Sequence, residues 1–411
     1  MKDKPKTLMP KLRFPEFKDG PGWHRQILGD LFTERQETGL TNLPLLSLTE
    51  KDGIVPQVVT KRKDNSSVDK SKYLRVVPGD VAYNTMRMWE GRSAYVTLEG
   101  LVSPAYTVCK PKGDAHGLFF SYYFKTSPLI EQFRRYSQGL VKDTLNLKFE
   151  ALAQVSIPTP QRSEQRKVAD CLSSLDEWIA AEWRKLESLR AHKKGLMQQL
   201  FPREGETRPR LRFTEFRDAP EWKETRLGEL GKPVSGLTYS PADVRSEGLL
   251  VLRSSNIQRG EIAMGDCVYV TPDIRGANLA QPNDILICVR NGSKPLIGKN
   301  ALIPDGMTPC TPGAFMTVFR AKAPQFVFQL LQTGAYRRQV AADLGATINS
   351  INGSQLLKYR FVAPEQDEQQ RIAVCLTSLD ALIAAQSRKL DRQRAHKKGL
   401  MQQLFPSPEG V

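Results

Sequence analysis

Thirteen residues, RAHKKGLMQQLFP, occupy Arg190–Pro202 and return unchanged at Arg394–Pro406, 204 residues further on. An identical run of that length marks a tandem duplication. A repeat has to be settled first, because it decides how many times every other element occurs. A second repeated block opens each half: Pro10–Asp19 (PKLRFPEFKD) matches Pro209–Asp218 (PRLRFTEFRD), and Trp23 matches Trp222. Here the offset is 199 residues, so the stretches between the blocks differ in length as well as in letters. Each half reads as an opening segment (1–22 and 204–221), a variable body (23–160 and 222–364) and a long shared tail (161–203 and 365–411).

The tails carry the clearest periodicity. Pro160 and Pro364 precede Ser163 and Asp367, both good N-caps, and Asp367 with Gln370 has capping-box spacing. From there apolar residues recur at alternating intervals of four and three. In the first tail they are Val168, Leu172, Leu175, Ile179, Leu186, Leu189, Leu196 and Leu200. In the second they are Ile372, Leu376, Leu379, Ile383, Leu390, Leu400 and Leu404. That is a coiled-coil seam, and Pro202 and Pro406 end it. Polar residues interrupt it at matching places, Glu182 with Gln386 and Lys193 with Lys397. Such interruptions specify register at a cost in stability. A helix over Ser163–Leu200 would span roughly 57 Å at about 1.5 Å per residue.

Neither seam can be left in water. The other copy on the same chain is the natural partner, because the tether makes pairing intramolecular. The plainer alternative, each helix packing on its own body as ordinary core, fits the length and regularity of the seam less well. The expected fold class is therefore α/β (α+β): two similar globular domains joined by two long helices. Those helices would form an intramolecular antiparallel coiled coil with pseudo-two-fold symmetry. Such a layout suits two DNA half-sites about one helical turn, roughly 34 Å, apart.

The bodies are rich in β-branched runs and turn residues. In the first, Tyr73–Val77, Val81–Thr85 and Tyr106–Cys109 read as strands, with Leu118–Ser127 and Leu129–Tyr136 as helices. In the second, Leu249–Arg253, Ile285–Arg290 and Phe315–Phe319 read as strands, with Phe326–Leu331 and Tyr336–Leu344 as helices. Gly79–Arg87 (GDVAYNTMR) and Asn283–Arg290 (NDILICVR) agree in character, as do Ser103–Val108 and Thr311–Val318. The bodies are thus distant copies of one fold.

Charge points to the partner. Lys and Arg number 60 against 44 Asp and Glu, a net +16 with a pI near 9.5. That excess favours a polyanion, most often nucleic acid, over a charge that only aids solubility. The six cysteines are scattered with no C-x-x-C pair, so neither a zinc site nor a disulfide framework is expected. The charged, Pro-containing N-terminus is no signal peptide. No run approaches the roughly 20 apolar residues of a membrane helix. A cytoplasmic protein with no membrane association is expected.

No catalytic constellation emerges. H-E-x-x-H, G-x-S-x-G and G-x-G-x-x-G are all absent. Gly292–Asn300 resembles a P-loop, but it has one residue too many between its glycines and Asn300 where Ser or Thr would hold magnesium. What remains are side chains suited to reading DNA. Tyr83, Asn84, Arg87 and Arg92 form one cluster; Arg253, Ser254, Ser255 and Asn256 form a second. Arg290, Asn291, Ser293, Lys294 and Lys299 form a third, with Gly292 and Gly298 allowing close approach to a phosphate. Thr347 and Asn349 lie in a further polar loop, matched in the first body by Lys142 and Thr144. Arg pairs with guanine and Asn with adenine, while Lys and Ser suit phosphates and base edges. Arg253–Asn256 reads equally well as a plain turn; Trp89, which falls in the first cluster, reads as packing rather than base stacking, and Arg92 and Lys299 have the alternative of solvated surface charge. No metal ligands are expected.

The chain resembles the specificity subunits of type I restriction–modification systems. The likeness rests on the duplicated layout and on particular strings. In the second body these are Leu249–Asn256 (LLVLRSSN), Cys288–Ser293 (CVRNGS), Gly313–Met316 (GAFM) and Ala346–Asn349 (ATIN). In the first they are Tyr83–Trp89 (YNTMRMW) and Val102–Tyr106 (VSPAY), and the tails add Glu164–Arg166 and the repeated KKGLMQQLF. The resemblance implies that the bodies are target recognition domains, each reading half of a bipartite, asymmetric site in double-stranded DNA. It implies that the helices set the spacer and dock two methyltransferase subunits, with motor–nuclease (restriction) subunits joining the full complex. It implies no catalysis and no cofactor in this chain; S-adenosylmethionine, ATP and Mg²⁺ belong to the partners. The alternative is a stand-alone DNA methyltransferase or nuclease with tandem DNA-binding domains. Inserting a heptad into both seams is expected to lengthen the tolerated gap between half-sites, read by methylation mapping; an unchanged gap would mean the helices are not the ruler.

Overall fold

The computed structural model describes residues 9–49, 53–60, 69–344 and 349–406. The chain divides into two compact units, Met1–Trp183 with Arg388–Val411, and Arg184–Ser387. Two long helices, Arg162–Leu200 and Gln366–Leu404, contribute a segment to each unit. The second helix begins one residue before the expected cap. Asp367 therefore lies in its first turn, where a carboxylate favours the positive end of the helix dipole.

In the first unit a four-stranded antiparallel sheet has the order Phe32–Glu34, Tyr106–Pro111, Val81–Asn84, Ser93–Tyr95. The second unit repeats it as Gly231–Ser235, Met316–Ala321, Ile285–Cys288, Asn300–Leu302. The register repeats too: Val81 faces Cys109 in one, Ile285 faces Phe319 in the other. Two helices cover each sheet, Gly117–Tyr123 with Ser127–Tyr136, and Pro324–Leu330 with Gly334–Asp343. All the strands and helices expected in the bodies are present to within a few residues. The short pairs around them, such as Leu46–Thr49 with Gly53–Pro56, are additional.

The turn into the central strand shows how two sequences reach one geometry. Gly79 adopts φ +104°, and its counterpart Asn283 adopts φ +66°. Asn is among the few side chains that tolerate this left-handed region. The next residue is a buried Asp in both units. Asp80 accepts from Val77 N (3.0 Å) and from Arg35 Nε (2.8 Å). Asp284 accepts from Gln281 N (2.7 Å) and from Arg320 Nε (3.0 Å). The arginine differs in origin; the charge it neutralises does not.

Each body closes by pairing its first strand with its last, His24–Ile27 with Ser156–Thr159 and Lys223–Arg226 with Arg360–Ala363. This brings the opening block to the start of the long helix. Arg13 Nε and Nη2 donate to Glu164 Oε1 (2.7 Å) and Oε2 (2.6 Å), and Arg13 also caps the carbonyls of Gly20 and Pro21. Arg212 repeats the arrangement with Glu368 (2.8 and 2.7 Å) and the carbonyls of Ala219 and Pro220. The hydrogen bond to each carboxylate raises its arginine above the ordinary value. Trp23 Nε1 donates to Glu164 as well (3.1 Å), whereas buried Trp222 Nε1 has no acceptor among the described residues.

Within each unit the helical segments run antiparallel. In the first, Lys397 binds Asp176 and Lys389 binds Glu182, so one helix number rises as the other falls. In the second, Lys193 Nζ lies 2.5 Å from Asp380, while Leu196 and Leu200 share a core with Ile372 and Leu376. Every seam residue named above is buried or half-buried. The seam's lysines are thus matched with acids rather than stranded. Gln393 is the exception, buried with neither amide atom partnered among the described residues.

The helix starts also pack on their own bodies, so the plainer reading of the tails holds in part: Val168, Ala169 and Leu172 join the core of Trp23, Phe119 and Tyr123. The same core receives Leu404 and Phe405 from the chain's end. The Phe405 ring stacks on Tyr123 (centroids 4.7 Å) and meets Trp23 and Phe119 at 6.3 and 5.4 Å. In the second unit Phe201 packs on Trp222 and Phe326 at 6.0 and 5.9 Å. Arg13→Ala would leave Glu164, 1% exposed, buried without its cation, a loss of about 3–5 kcal/mol. A lower urea midpoint is expected for that variant and none for Lys223→Ala, whose pair with Glu365 is wholly exposed.

Candidate nucleic-acid interface

In each unit the central strand of the main sheet runs into a polar loop, and the same backbone bonds frame it. Thr85 N donates to Ala105 O (3.0 Å) and Leu147 N to Thr85 O (2.9 Å). In the second unit Val289 N donates to Phe315 O (3.0 Å) and Ile351 N to Val289 O (2.8 Å). Three loops therefore meet twice: one after the central strand, one before its neighbour, and one preceding the last short helix. The frame is common, and the side chains it presents are not.

In the first unit Asn84 shapes its own loop, its Oδ1 accepting from Met86 N (3.0 Å). Arg87 is 62% exposed and leans on Glu90 (3.4 Å), which also lies 3.6 Å from Arg92. Lys142 and Thr144 are exposed on the loop closed by reciprocal bonds between Gln138 and Asn146 (2.8 Å each). Since Leu147 binds Thr85, this loop stands beside the one bearing Asn84 and Arg87. Trp89 is half-buried and donates to Met86 O (3.0 Å). Tyr83 must be removed from the candidates. It is fully buried, its hydroxyl donates to Leu147 O (3.0 Å), and burial pushes its phenol well above the ordinary value.

In the second unit Asn291 Nδ2 donates to Ser254 Oγ (3.0 Å), joining two clusters that are far apart in sequence. Asn291 Oδ1 accepts from Ser293 N (2.9 Å). Arg253 is tied to Asp266 (2.6 Å), and Ser255 is exposed. Arg290, Ser293, Lys294 and Lys299 are exposed, and Asn349 is half-buried next to Ser350, which bridges Arg290. Thr347 lies outside the described residues.

Asn256 and Gly298 depart from expectation as Tyr83 does. Asn256 is buried, its Oδ1 accepting from Arg253 N (2.8 Å) and its Nδ2 donating to the carbonyls of Ala263 (2.9 Å) and Asp266 (3.0 Å). Its hydrogen-bonding capacity is spent on the loop, leaving little for a base. Gly298 adopts φ +85° under Val340, and its carbonyl accepts from Tyr336 Oη (3.1 Å), so its role is packing rather than phosphate approach. Phe315 was missed. Reading Phe315–Phe319 as a strand hid the side chain, but the strand is Met316–Ala321 and Phe315 sits exposed on the turn before it.

Among the described residues, no group of three or more His, Cys, Asp or Glu is placed to hold a metal ion, and no helix is long and apolar enough to cross a membrane. The cysteines are unpaired.

Residues 220–392 match the family described as type I restriction modification DNA specificity domain. The type I restriction enzyme MjaVIII specificity subunit of Methanocaldococcus jannaschii is 24% identical over 356 residues, 82% of each chain. The type I restriction enzyme EcoKI specificity subunit of Escherichia coli K12 is 28% identical over 162 residues, 37% of this chain and 34% of that one. The crystal structure of the type I restriction–modification S subunit from M. genitalium superposes with a TM-score of 0.64 at 14% identity, covering 97% of this chain and all of that one. A chain from a study of complex assembly in a type I system gives 0.52 at 18% identity, covering 93% of this chain and 96% of that one. At these identities the structures establish the fold. Residues 220–392 thus carry a domain of that family, and the chain as a whole is similar in sequence and in fold to type I specificity subunits.

Asn256→Ala should raise amide exchange across 253–266 and lower the thermal midpoint, at about 1–3 kcal/mol for each stranded buried group. Ser255→Ala, at an exposed neighbour, should change neither. Unaltered exchange in Asn256→Ala would show that the loop does not depend on this side chain.

Proposed function

We propose that this chain is the DNA-specificity subunit of a type I restriction–modification complex, reading a bipartite, asymmetric site. The observation that carries the proposal is the doubled loop frame, alike in backbone bonds and unlike in side chains. Residues 23–160 and 222–364 are the two readers. Residues 161–203 and 365–411 set the spacer and dock two methyltransferase subunits, and through them the motor–nuclease subunits. The opening segments, 1–22 and 204–221, bind each reader to the helices.

Within the frames, Asn84, Arg87, Arg92, Lys142 and Thr144 face the first half-site. Arg253, Ser254, Ser255, Arg290, Asn291, Ser293, Lys294, Lys299 and Asn349 face the second. Exposed arginines suit guanine or phosphate, and Asn suits adenine. The net charge of +16 supplies the salt-dependent, sequence-independent share of affinity. The subunit is not an enzyme; S-adenosylmethionine, ATP and Mg²⁺ are used by its partners, and the assembly works in the cytoplasm. The stand-alone methyltransferase or nuclease has no observation in its favour, since the matched domain is one of DNA specificity.

The test is to co-express the chain with its methyltransferase subunits and map methylated adenines across a genome. Arg87→Ala is expected to relax one half-site and Arg290→Ala the other, each by about 1–3 kcal/mol if the lost contact is a bidentate base pair. Equal loss at both half-sites from either variant would defeat the two-reader model.

A further inference from the structure

Phe315 is an aromatic ring on the rim of a polar loop cluster, and the roles assigned above leave it unused. Its backbone is firmly held. Val289 N and Arg290 N both donate to its carbonyl (3.0 and 3.1 Å), Met316 N closes the turn onto Gly313 O (2.8 Å), and Gly313 N donates to Leu252 O (2.9 Å). The chain beneath is packed so closely that a Cβ on Gly236 would lie 2.0 Å from Gly313 O. The neighbouring Met316 is buried, yet the Phe315 ring is 54% exposed. The Arg290 guanidinium lies 5.9 Å from the ring centroid, within the range of cation–π attraction.

A single exposed apolar side chain ordinarily needs no explanation. This one is presented by a rigid turn, among hydrogen-bonding groups suited to base edges. Arg290 and Asn291 leave the same strand end, and Asn291 is bonded to Ser254. Hydrogen bonds can read every major-groove feature except the thymine methyl group, which takes an apolar contact. We propose that Phe315 determines specificity, its ring packing on the 5-methyl group of a thymine in the half-site read by the second body. The matching backbone position in the first body, fixed by the Thr85 N to Ala105 O bond, is an alanine. The contact thus belongs to one half-site.

The inference rests on the DNA-reading role, and the experiment separates the two. The full chain, in complex with its methyltransferase subunits, is titrated with duplexes carrying the mapped target. Each thymine of the second half-site is replaced in turn by deoxyuridine, which removes only the methyl group. The wild-type complex should lose roughly three- to fivefold in affinity at one thymine, the worth of one buried methyl. Phe315→Ala should bind more weakly and ignore that replacement, Phe315→Leu should retain part of the response, and neither should move the thermal midpoint. No responsive thymine in the second half-site, or an unaltered response in Phe315→Ala, overturns the proposal. A wild-type complex with no site-specific binding would instead refute the DNA-reading role, and this inference would fall with it.

Discussion

The buried arginine–glutamate pair at the foot of each long helix is the interaction on which the rest depends. Arg13 and Arg212 come from the opening blocks, Glu164 and Glu368 from the first turns of the helices. An ion pair out of water is no great source of stability in itself, because desolvation offsets the Coulombic gain. Its value here is geometric. Bidentate hydrogen bonds fix direction, and each guanidinium also ties down two carbonyls of the chain that leads into the body. The same block reaches the far end of a helix. Leu12 N donates to Gln403 O, and Leu211 N to Gln199 O, both at 3.0 Å. Opening block, helix start and helix end are thereby gathered at one joint in each unit.

Hydrophobic packing then makes the joint stable. Phe405 enters a core already lined by Trp23, Phe119 and Tyr123, so the first unit's core includes residues from the far end of the second long helix. Phe201 does the same in the second unit. Acidic side chains carry the joint outward into the bodies. Asp176 accepts from Tyr122 Oη (2.7 Å) and binds Lys397, while Asp380 accepts from Gln329 Nε2 (2.7 Å) and binds Lys193. Burial, and then the bond to Asp176, raise the Tyr122 phenol above its ordinary value. One carboxylate in each unit therefore couples the helix pair to the helix that covers the sheet.

These joints explain what the sequence disclosed and what it concealed. Periodicity exposed the seam, because a coiled coil repeats one physical demand every few residues, and the seam residues are covered as that demand requires. Strand centres were legible for the same reason. Side-chain roles in the loops were not, since Tyr83 and Asn256 carry polar groups that look available in a string of letters and are consumed by Leu147 and by Arg253, Ala263 and Asp266 in the fold. Only long-range contacts distinguish a base-reading asparagine from one that holds a loop. Phe315 shows the converse: an apolar residue beside a strand reads as core until the strand's true start is known.

The thirteen repeated residues now divide by face. Leu196, Leu200 and Phe201, with Leu400, Leu404 and Phe405, are bound to equivalent cores, and Lys193 and Lys397 to equivalent acids. Internal packing therefore accounts for their identity. It does not account for Ala191, His192, Lys194, Gln198 and Gln199, nor for Ala395, His396, Lys398, Gln402 and Gln403, which are exposed in both copies. Surface side chains away from special features change stability little when substituted, so folding alone would let the two sets drift apart, as the bodies have. Identity held on an exposed face is what two equivalent external contacts would require. The duplicated joint and the duplicated outer face then impose one constraint: both copies of the repeat must offer the same surface, while the body that precedes each copy remains free to differ.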